Sequence, residues 1–458
     1  MAKFISDSIS GELQFGEVLA SATPNKSSHP NSTSSEISPS CIVFMSSCSG
    51  TWGGSEELWS ATARYLRQQG HSVYVFKINV DRSHSRIIDL HEAKISITDT
   101  FLLTNRHNNL IKRILDRLGK LQSINLFLKL VDRGFRFLNR YLPARWHLQF
   151  NQDILVKEIK QLEPDLVVIS QGDNFDGLEF ASLCQQLKIP YAMLSHKAGE
   201  DRWPIDAVRL LMRSAFQEAK QCFFVSQHNQ TITEKQISRN LPHTEVIRNP
   251  HLAPVTQPLP WKPPQDGWFK LACVGRLWLF DKGQDILLQV LAQDKWKSRR
   301  LCIEFFGEGV NRNGLIELAQ FLEVQNVSFP GFVDDIVDVW REFHGLILPS
   351  RAEGLPISLV EAMMCGRLGI VTNVGGVSEV VTDNVTGFIA QAPCLYAIDE
   401  ALERAWQRRD EWEQIGQAAA CSIREIIPPN PEKVFAGKLL RLCSTSTITS
   451  PNGTSSLH

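Results

Sequence analysis

The sequence predicts an α/β protein of two parallel-sheet domains, on three observations. Short apolar runs of the kind that form buried parallel strands alternate with segments of helical periodicity, as at Cys41–Met45, Val73–Phe76, Leu166–Ile169 and Tyr191–Leu194. The alternation stops at a stretch with prolines at 254, 258, 260, 263 and 264, then resumes at Phe269. The length, 458 residues, is long for one domain and comfortable for two.

Composition narrows the class. Hydrophobic residues make up 43% and charged residues 21%, the balance of a globular chain with a sizeable core. The net charge of −1 gives no general attraction to nucleic acid. No apolar run approaches the roughly 18 residues of a spanning helix, and the first residues lack the basic-then-apolar plan of a signal peptide. The 10 cysteines are scattered singly, which reads as reduced, mostly buried thiols rather than a disulfide frame or metal site. A cytoplasmic protein is the expectation.

In chain order, residues 1–40 are rich in Ser, Asn, Thr and Pro and read as a flexible tail. The first domain spans 41–250. It opens with a strand, the turn Ser49–Glu56, a helix carrying Leu58, Trp59, Ala61 and Leu66, and a second strand, which together make a βαβ unit. Residues 106–145 change character, with ten Lys/Arg against Asp116 and Asp132, a charge of +8 among interleaved Leu, Ile and Phe. That pattern fits a basic amphipathic segment at a membrane surface, and equally an ordinary helix with a cationic outer face. Helices are predicted over 178–187, 207–219 and 229–239 between strands ending at Ser195-His196, Ser226 and Ile247. The linker covers 251–268 and the second domain 269–428, with helices over 284–292, 314–322 and 334–343. A C-terminal helix lies within 429–443, and a second flexible tail covers 444–458.

The chemistry concentrates in residues 350–390. The run Gly345–Pro349 reads as a buried strand that enters the turn Glu353-Gly354-Leu355-Pro356 and then a helix with Glu361 on it. A strand entering a helix N-terminus through such a turn is an anion site, because free N–H groups and the positive end of the helix dipole converge there. Carboxylates beside it suit the hydroxyls of a sugar. Either glutamate taken alone is more often a surface residue. The same holds for Arg276, which follows a strand and Gly275, and for Lys282, which precedes Gly283 and a helix start.

The surroundings change that reading. Glu353-Gly354-Leu355-Pro356, Glu361-Ala362-Met363, Gly366, Gly375–Val381 and Asn384–Phe388 together resemble the Glu-x7-Glu signature of the GT-B retaining glycosyltransferases, family 4 (glycosyl transferases group 1). Residues 274–288 resemble the same family's diphosphate motif, and Gly53-Gly54-Ser55-Glu56 its opening turn, which faces the cleft. The resemblance implies a GT-B fold, two Rossmann-like domains around a central cleft. It implies Arg276 and Lys282 on the departing diphosphate, Glu361 on the ribose, and Phe332 and Val333 at the nucleobase. Glu353 and the N–H groups of Gly354, Leu355 and Ile357, with Pro356 between them contributing none, would hold the sugar and β-phosphate. His196, at a strand end, would point into the cleft, with Gly53, Gly54 and Asp173 on the acceptor side. The catalytic set is then Arg276, Lys282, Glu353 and His196. No Asp-x-Asp stands in a metal-binding setting, so no metal and no cofactor are expected beyond the nucleotide sugar as co-substrate. The implied reaction is retaining transfer of a hexosyl-type sugar to a saccharide or lipid-linked acceptor, in glycan, exopolysaccharide or glycolipid synthesis. Residues 106–145 would meet an anionic membrane at its cytoplasmic face. The rival readings are a sugar-nucleotide epimerase of the same fold and a non-catalytic sugar-binding scaffold. The resemblance rests on 269–390 and is thin in the first domain.

Overall fold

The computed structural model describes residues 39–48, 50, 52–100, 152–253 and 256–444. The expectations for the N-terminal tail before 39, the basic stretch 106–145 and the tail after 444 lie outside the described residues. Seven strands form the first sheet: β1 (Cys41–Ser46), β2 (Ser72–Lys77), β3 (Ser96–Asp99), β4 (Leu166–Asp173), β5 (Tyr191–Lys197), β6 (Gln221–Phe224) and β7 (Thr244–Val246). Their order is β3-β2-β1-β4-β5-β6-β7, and every pair is parallel. The second sheet comprises β8 (Phe269–Val274), β9 (Leu301–Phe306), β10 (Val327–Gly331), β11 (Gly345–Leu348), β12 (Leu368–Thr372) and β13 (Gly387–Ala390). It runs β10-β9-β8-β11-β12-β13, again all parallel. Two Rossmann-like domains are therefore present, and in each the strand order reverses once, between β1 and β4 and between β8 and β11.

The central strands are apolar without alternation because helices cover both faces; Ile42–Met45 and Leu166–Ile169 are wholly buried. Around the first sheet lie α1 (Gly54–Gln68), α2 (Ser85–Glu92), α3 (Gln152–Leu162), α4 (Leu178–Leu187), α5 (Asp206–Gln217) and α6 (Gln227–Ile237). Around the second lie α7 (Leu279–Lys282), α8 (Gln284–Leu291), α9 (Asp294–Lys297), α10 (Arg312–Phe321), α11 (Ile336–Glu342), α12 (Ile357–Met364), α13 (Leu395–Gln407) and α14 (Trp412–Ile426). The last helix, α15 (Pro431–Ser444), crosses back to the first domain, where the Phe435 and Phe223 rings meet edge-on at 5.0 Å. Among the described residues, no helix is long and apolar enough to cross a membrane.

Several boundaries differ from expectation for local reasons. The helix predicted at 229 begins at Gln227 because the Ser226 hydroxyl accepts the Asn229 N–H at 3.1 Å and caps it. The helix predicted at 334 begins at Ile336, since Asp335 caps the Val337 N–H at 2.9 Å. The cysteines are all free, but fewer are buried than expected: Cys394 and Cys421 are exposed and Cys41, Cys48 and Cys302 half-buried.

The proline-rich linker is fastened to the second domain by two side chains that carried no sequence signal. Arg367 is buried between β12 and the linker. Its guanidinium donates to the carbonyls of Trp340 and Phe343 at 2.8 Å each and of Pro260 at 2.9 Å. His344 accepts the Lys270 N–H on Nδ1 at 2.9 Å, so Nε2 carries the proton and donates to the Lys262 carbonyl at 3.1 Å. Burial pulls the pKa of His344 down to about 4, which keeps this tautomer neutral. Replacing Arg367 by Met leaves three buried carbonyls without donors, and urea unfolding should show a loss of about 3 kcal/mol. A midpoint equal to that of the unaltered chain would refute this account of the linker.

Candidate active site

Both sheets present their switch points to one cleft. Open parallel sheets bind ligands beyond the carboxyl ends of their strands where the order reverses. The residues lining a cavity of about 560 Å³ come from those ends: Cys48 and Gly50 after β1, Gly172 and Asp173 on β4, Gly275 and Arg276 after β8, and Ala352 and Glu353 after β11. A hollow of about 710 Å³ beside Trp296 and Asn326 includes Leu301, the first residue of β9, and so lies at the opposite end of its sheet.

On the second-domain side, Gly283 has φ +61°, and a side chain there would meet the Pro349 carbonyl oxygen at 2.2 Å. Glycine at this position lets the turn α7 pack on the strand end and brings Lys282 beside Glu353. Lys282 Nζ donates to Glu353 Oε1 at 2.6 Å, and Ser350 Oγ donates to the same oxygen at 2.7 Å. The resemblance assigns this lysine to the diphosphate and this glutamate to the sugar; the fold makes them an ion pair. Arg276 is exposed at the cleft wall; its carbonyl accepts the Trp278 N–H at 2.8 Å and Gln284 Nε2 at 2.9 Å, while its guanidinium makes no hydrogen bond or ion pair with any described residue. Gly354, Leu355, Pro356 and Ile357 complete this wall, and the first N–H groups of α12 there have no intrahelical acceptor.

On the first-domain side, Gly53, Gly54, Asp173 and His196 all line the cleft. His196 is 6% exposed, with neither ring nitrogen bonded among the described residues. Burial lowers its pKa to about 3, so the ring is neutral. Asp173 is fully engaged: Arg202 holds both its oxygens at 3.0 and 2.8 Å, and Lys197 lies 3.2 Å away. Asp176, also in the lining, accepts the Asp173 N–H at 2.8 Å, and burial raises its pKa to about 6.

One expectation needs correction, and two of the implied contacts lie outside the cavity lining. Glu56 does not face the cleft. It is buried and paired with buried Lys77 at 3.2 Å, and Lys77 also donates to the carbonyls of Cys48 at 3.0 Å and Gly50 at 2.9 Å. Phe332 and Val333 are not among the lining residues; Phe332 is exposed, and Val333 packs on the second-domain core. Glu361 is likewise outside the lining. It lies one turn beyond Ile357 on α12, 4% exposed, with Oε1 accepting the Leu252 N–H of the linker at 2.8 Å. Lys197, Arg202 and Asp281 escaped the sequence reading. Two of them adjoin residues already singled out, His196 and Lys282, but nothing in the chain marks Arg202.

With this geometry in place, the family match falls on the second domain. The model of the family Glycosyl transferases group 1 matches residues 269–408. Glycogen synthase of Pseudomonas syringae is 31% identical over 144 residues, 30% of this chain and 28% of that protein. Glycogen synthase of Xanthomonas oryzae is 29% identical over 183 residues, 39% of this chain and 35% of that protein. The match thus spans about a third or less of those relatives. Among solved structures, Anabaena HepE in complex with UDP-glucose covers 87% of this chain and 99% of its own at TM-score 0.65 and 17% identity. Sucrose-phosphate synthase from Thermosynechococcus elongatus covers 89% and 100% at TM-score 0.65 and 15% identity. The fold is that of the GT-B glycosyltransferases. Its second domain carries the match to the family Glycosyl transferases group 1.

Glu361 has a measurable signature. Burial, opposed by the Leu252 N–H and reinforced by nearby Glu57, raises its pKa from 4.5 to about 8. The folded state therefore binds a proton that the unfolded state has released, and stability falls as pH rises between those values. Replacing Glu361 by Gln should remove a slope approaching about 1.4 kcal/mol per pH unit from chemical unfolding over that window. An unchanged difference between the acidic and alkaline ends would overturn the assignment.

Proposed function

We propose that this chain transfers a sugar from a nucleotide-diphosphate sugar to a hydroxyl acceptor with retention of configuration, as a family 4 glycosyltransferase. The observation that carries the reading is the convergence on one cleft of unpaired Arg276, the Lys282–Glu353 pair and the α12 N-terminus, facing the neutral, unbonded His196. Solved relatives of the same fold bind UDP and UDP-glucose, which supports the same ligand class here. Arg276, Lys282 and the N–H groups of α12 take the diphosphate and offset its growing charge, so this reading calls for no metal and no further cofactor. The bond from the anomeric carbon to the β-phosphate oxygen breaks, and the acceptor oxygen bonds that carbon from the same face. The acceptor proton passes to the leaving phosphate oxygen. Asp173 is held by two cations and is poorly placed to act as a nucleophile.

The acceptor is a saccharide or a lipid-linked saccharide. Trp203, Ile205, Leu210 and Leu211 are exposed just after the cleft residue Arg202, and they offer an apolar rim to a lipid-bearing acceptor. The sequence of 106–145 supports reversible attachment to an anionic membrane at its cytoplasmic face, worth about 1 kcal/mol per engaged Lys or Arg.

The deciding experiment presents UDP-, GDP- and ADP-sugars and measures nucleoside diphosphate release. Release in the presence of acceptor fits transfer, isomerised donor without release marks an epimerase, and inert donors mark a binding scaffold. Lys282→Ala should lower turnover by about a hundredfold or more; near-normal activity would sink the site assignment. For the membrane, exchanging Lys112, Arg113, Arg117 and Lys120 for Gln should abolish salt-sensitive co-sedimentation with anionic vesicles. Equal partition into neutral vesicles would return this stretch to an ordinary helix.

A further inference from the structure

The cleft is spanned by four charges that the proposed chemistry does not use. Lys197, at the end of β5, and Arg202, in the loop after it, belong to the first domain, as does Asp173 on β4. Asp281 belongs to the second and stands one residue before Lys282. Lys197 Nζ lies 2.9 Å from an Asp281 oxygen and 3.2 Å from Asp173. Arg202 bonds Asp173 through one nitrogen and Asp281 through another. The Phe280 ring covers the guanidinium at 4.6 Å. Asp281 is 6% exposed, and burial alone would raise its pKa, but Lys197 and Arg202 outweigh that and hold it below the usual carboxylate range. Its main chain is committed as well: the Asp281 carbonyl accepts the Arg351 N–H at 2.7 Å and the Ala352 N–H at 3.1 Å, just before Glu353.

We propose that Asp281 is a positioning residue that latches the two domains across the cleft. Its carboxylate takes both first-domain cations while its carbonyl holds the loop bearing Glu353, so closure and the placement of Lys282 are one event. The assignment of Lys282 to a diphosphate rests on the function proposed above; the latch itself does not. With two cations and two anions the cluster is neutral, so it ties the domains without repelling an incoming anionic donor. Asp281 is buried but Lys197, Arg202 and Asp173 are only partly so, and added salt should therefore weaken it.

The test uses the whole chain and two variants, Asp281→Asn, which keeps the side-chain shape, and Arg202→Met, which cuts the latch from the other side. Small-angle scattering at low and high salt reads the separation of the domains, and calorimetry reads the affinity for UDP. The unaltered chain should expand with salt. Both variants should be expanded already at low salt and respond little to more. UDP affinity in Asp281→Asn should fall about tenfold, the scale of a typical coupling between sites, and should depend less on salt than in the unaltered chain. The double variant should be no worse than the worse single one, because one latch is being cut twice. Variants with the radius and salt response of the unaltered chain would overturn the proposal. If the unaltered chain binds none of UDP, GDP and ADP by the same calorimetry while the variants still expand, the latch stands and the sugar-nucleotide reading fails.

Discussion

The two domains meet backbone against backbone at Gly354. A side chain at that position would place its Cβ 1.8 Å from the His196 carbonyl oxygen, so only glycine lets the donor loop lie against the end of β5. The same residue's carbonyl accepts the Gly376 N–H at 2.6 Å, which binds the loop to the next turn of its own domain. Glu353 precedes this contact, the α12 N-terminus follows it, and His196 stands on the other side. In this arrangement main-chain contact limits how closely the groups on the two walls of the cleft can approach. Glu379 supports the same boundary by accepting the His228 N–H at 2.9 Å and pairing with Arg248 at 3.0 Å.

Against that fixed frame, the charges of the cleft are almost all spent on one another. Lys282 faces Glu353, while Lys197 and Arg202 face Asp173 and Asp281, and the Arg276 guanidinium alone among these has no partner among the described residues. On the proposed function, an incoming diphosphate would meet Arg276 first and then draw Lys282 away from Glu353. The released carboxylate would become an acceptor for sugar hydroxyls at that moment. Each half-buried pair is worth more than a surface pair, yet it stays exchangeable, because a diphosphate brings stronger charge to the same cation. The ion pair thus stores both groups in position without committing either.

What could be read from the chain follows from the range of the interactions. The alternation of apolar strands and helices is local, so the two-sheet architecture and most element positions were legible. So was the turn from Glu353 to Ile357, where glycine, proline and a helix start sit together. The partners of charged residues were not, because pairing is decided by which strand ends meet in space. Lys77 and Glu56, 21 positions apart by the numbering, are brought together by the β1–β2 register, in which Ser46 pairs with Lys77. That pair removed Glu56 from the cleft. Arg367 looked like any surface arginine after a helix until the linker folded over it and supplied carbonyls. Phe332 carried a role only through resemblance, and the fold leaves it exposed.

His196 shows how far burial constrains chemistry. With a pKa near 3 it carries no charge at any pH where the protein would work, so it cannot offset developing negative charge as a cation. A neutral imidazole has one N–H and one lone pair, and both nitrogens here lack partners among the described residues. Leaving two such groups buried and unbonded costs folding free energy, roughly 1 to 3 kcal/mol for each group. A ligand hydroxyl, which both donates and accepts, recovers that cost more fully than a phosphate oxygen, which only accepts. The histidine therefore suits the hydroxyl-bearing part of a ligand, while the anionic part falls to Arg276 and the N-terminus of α12 across the cleft.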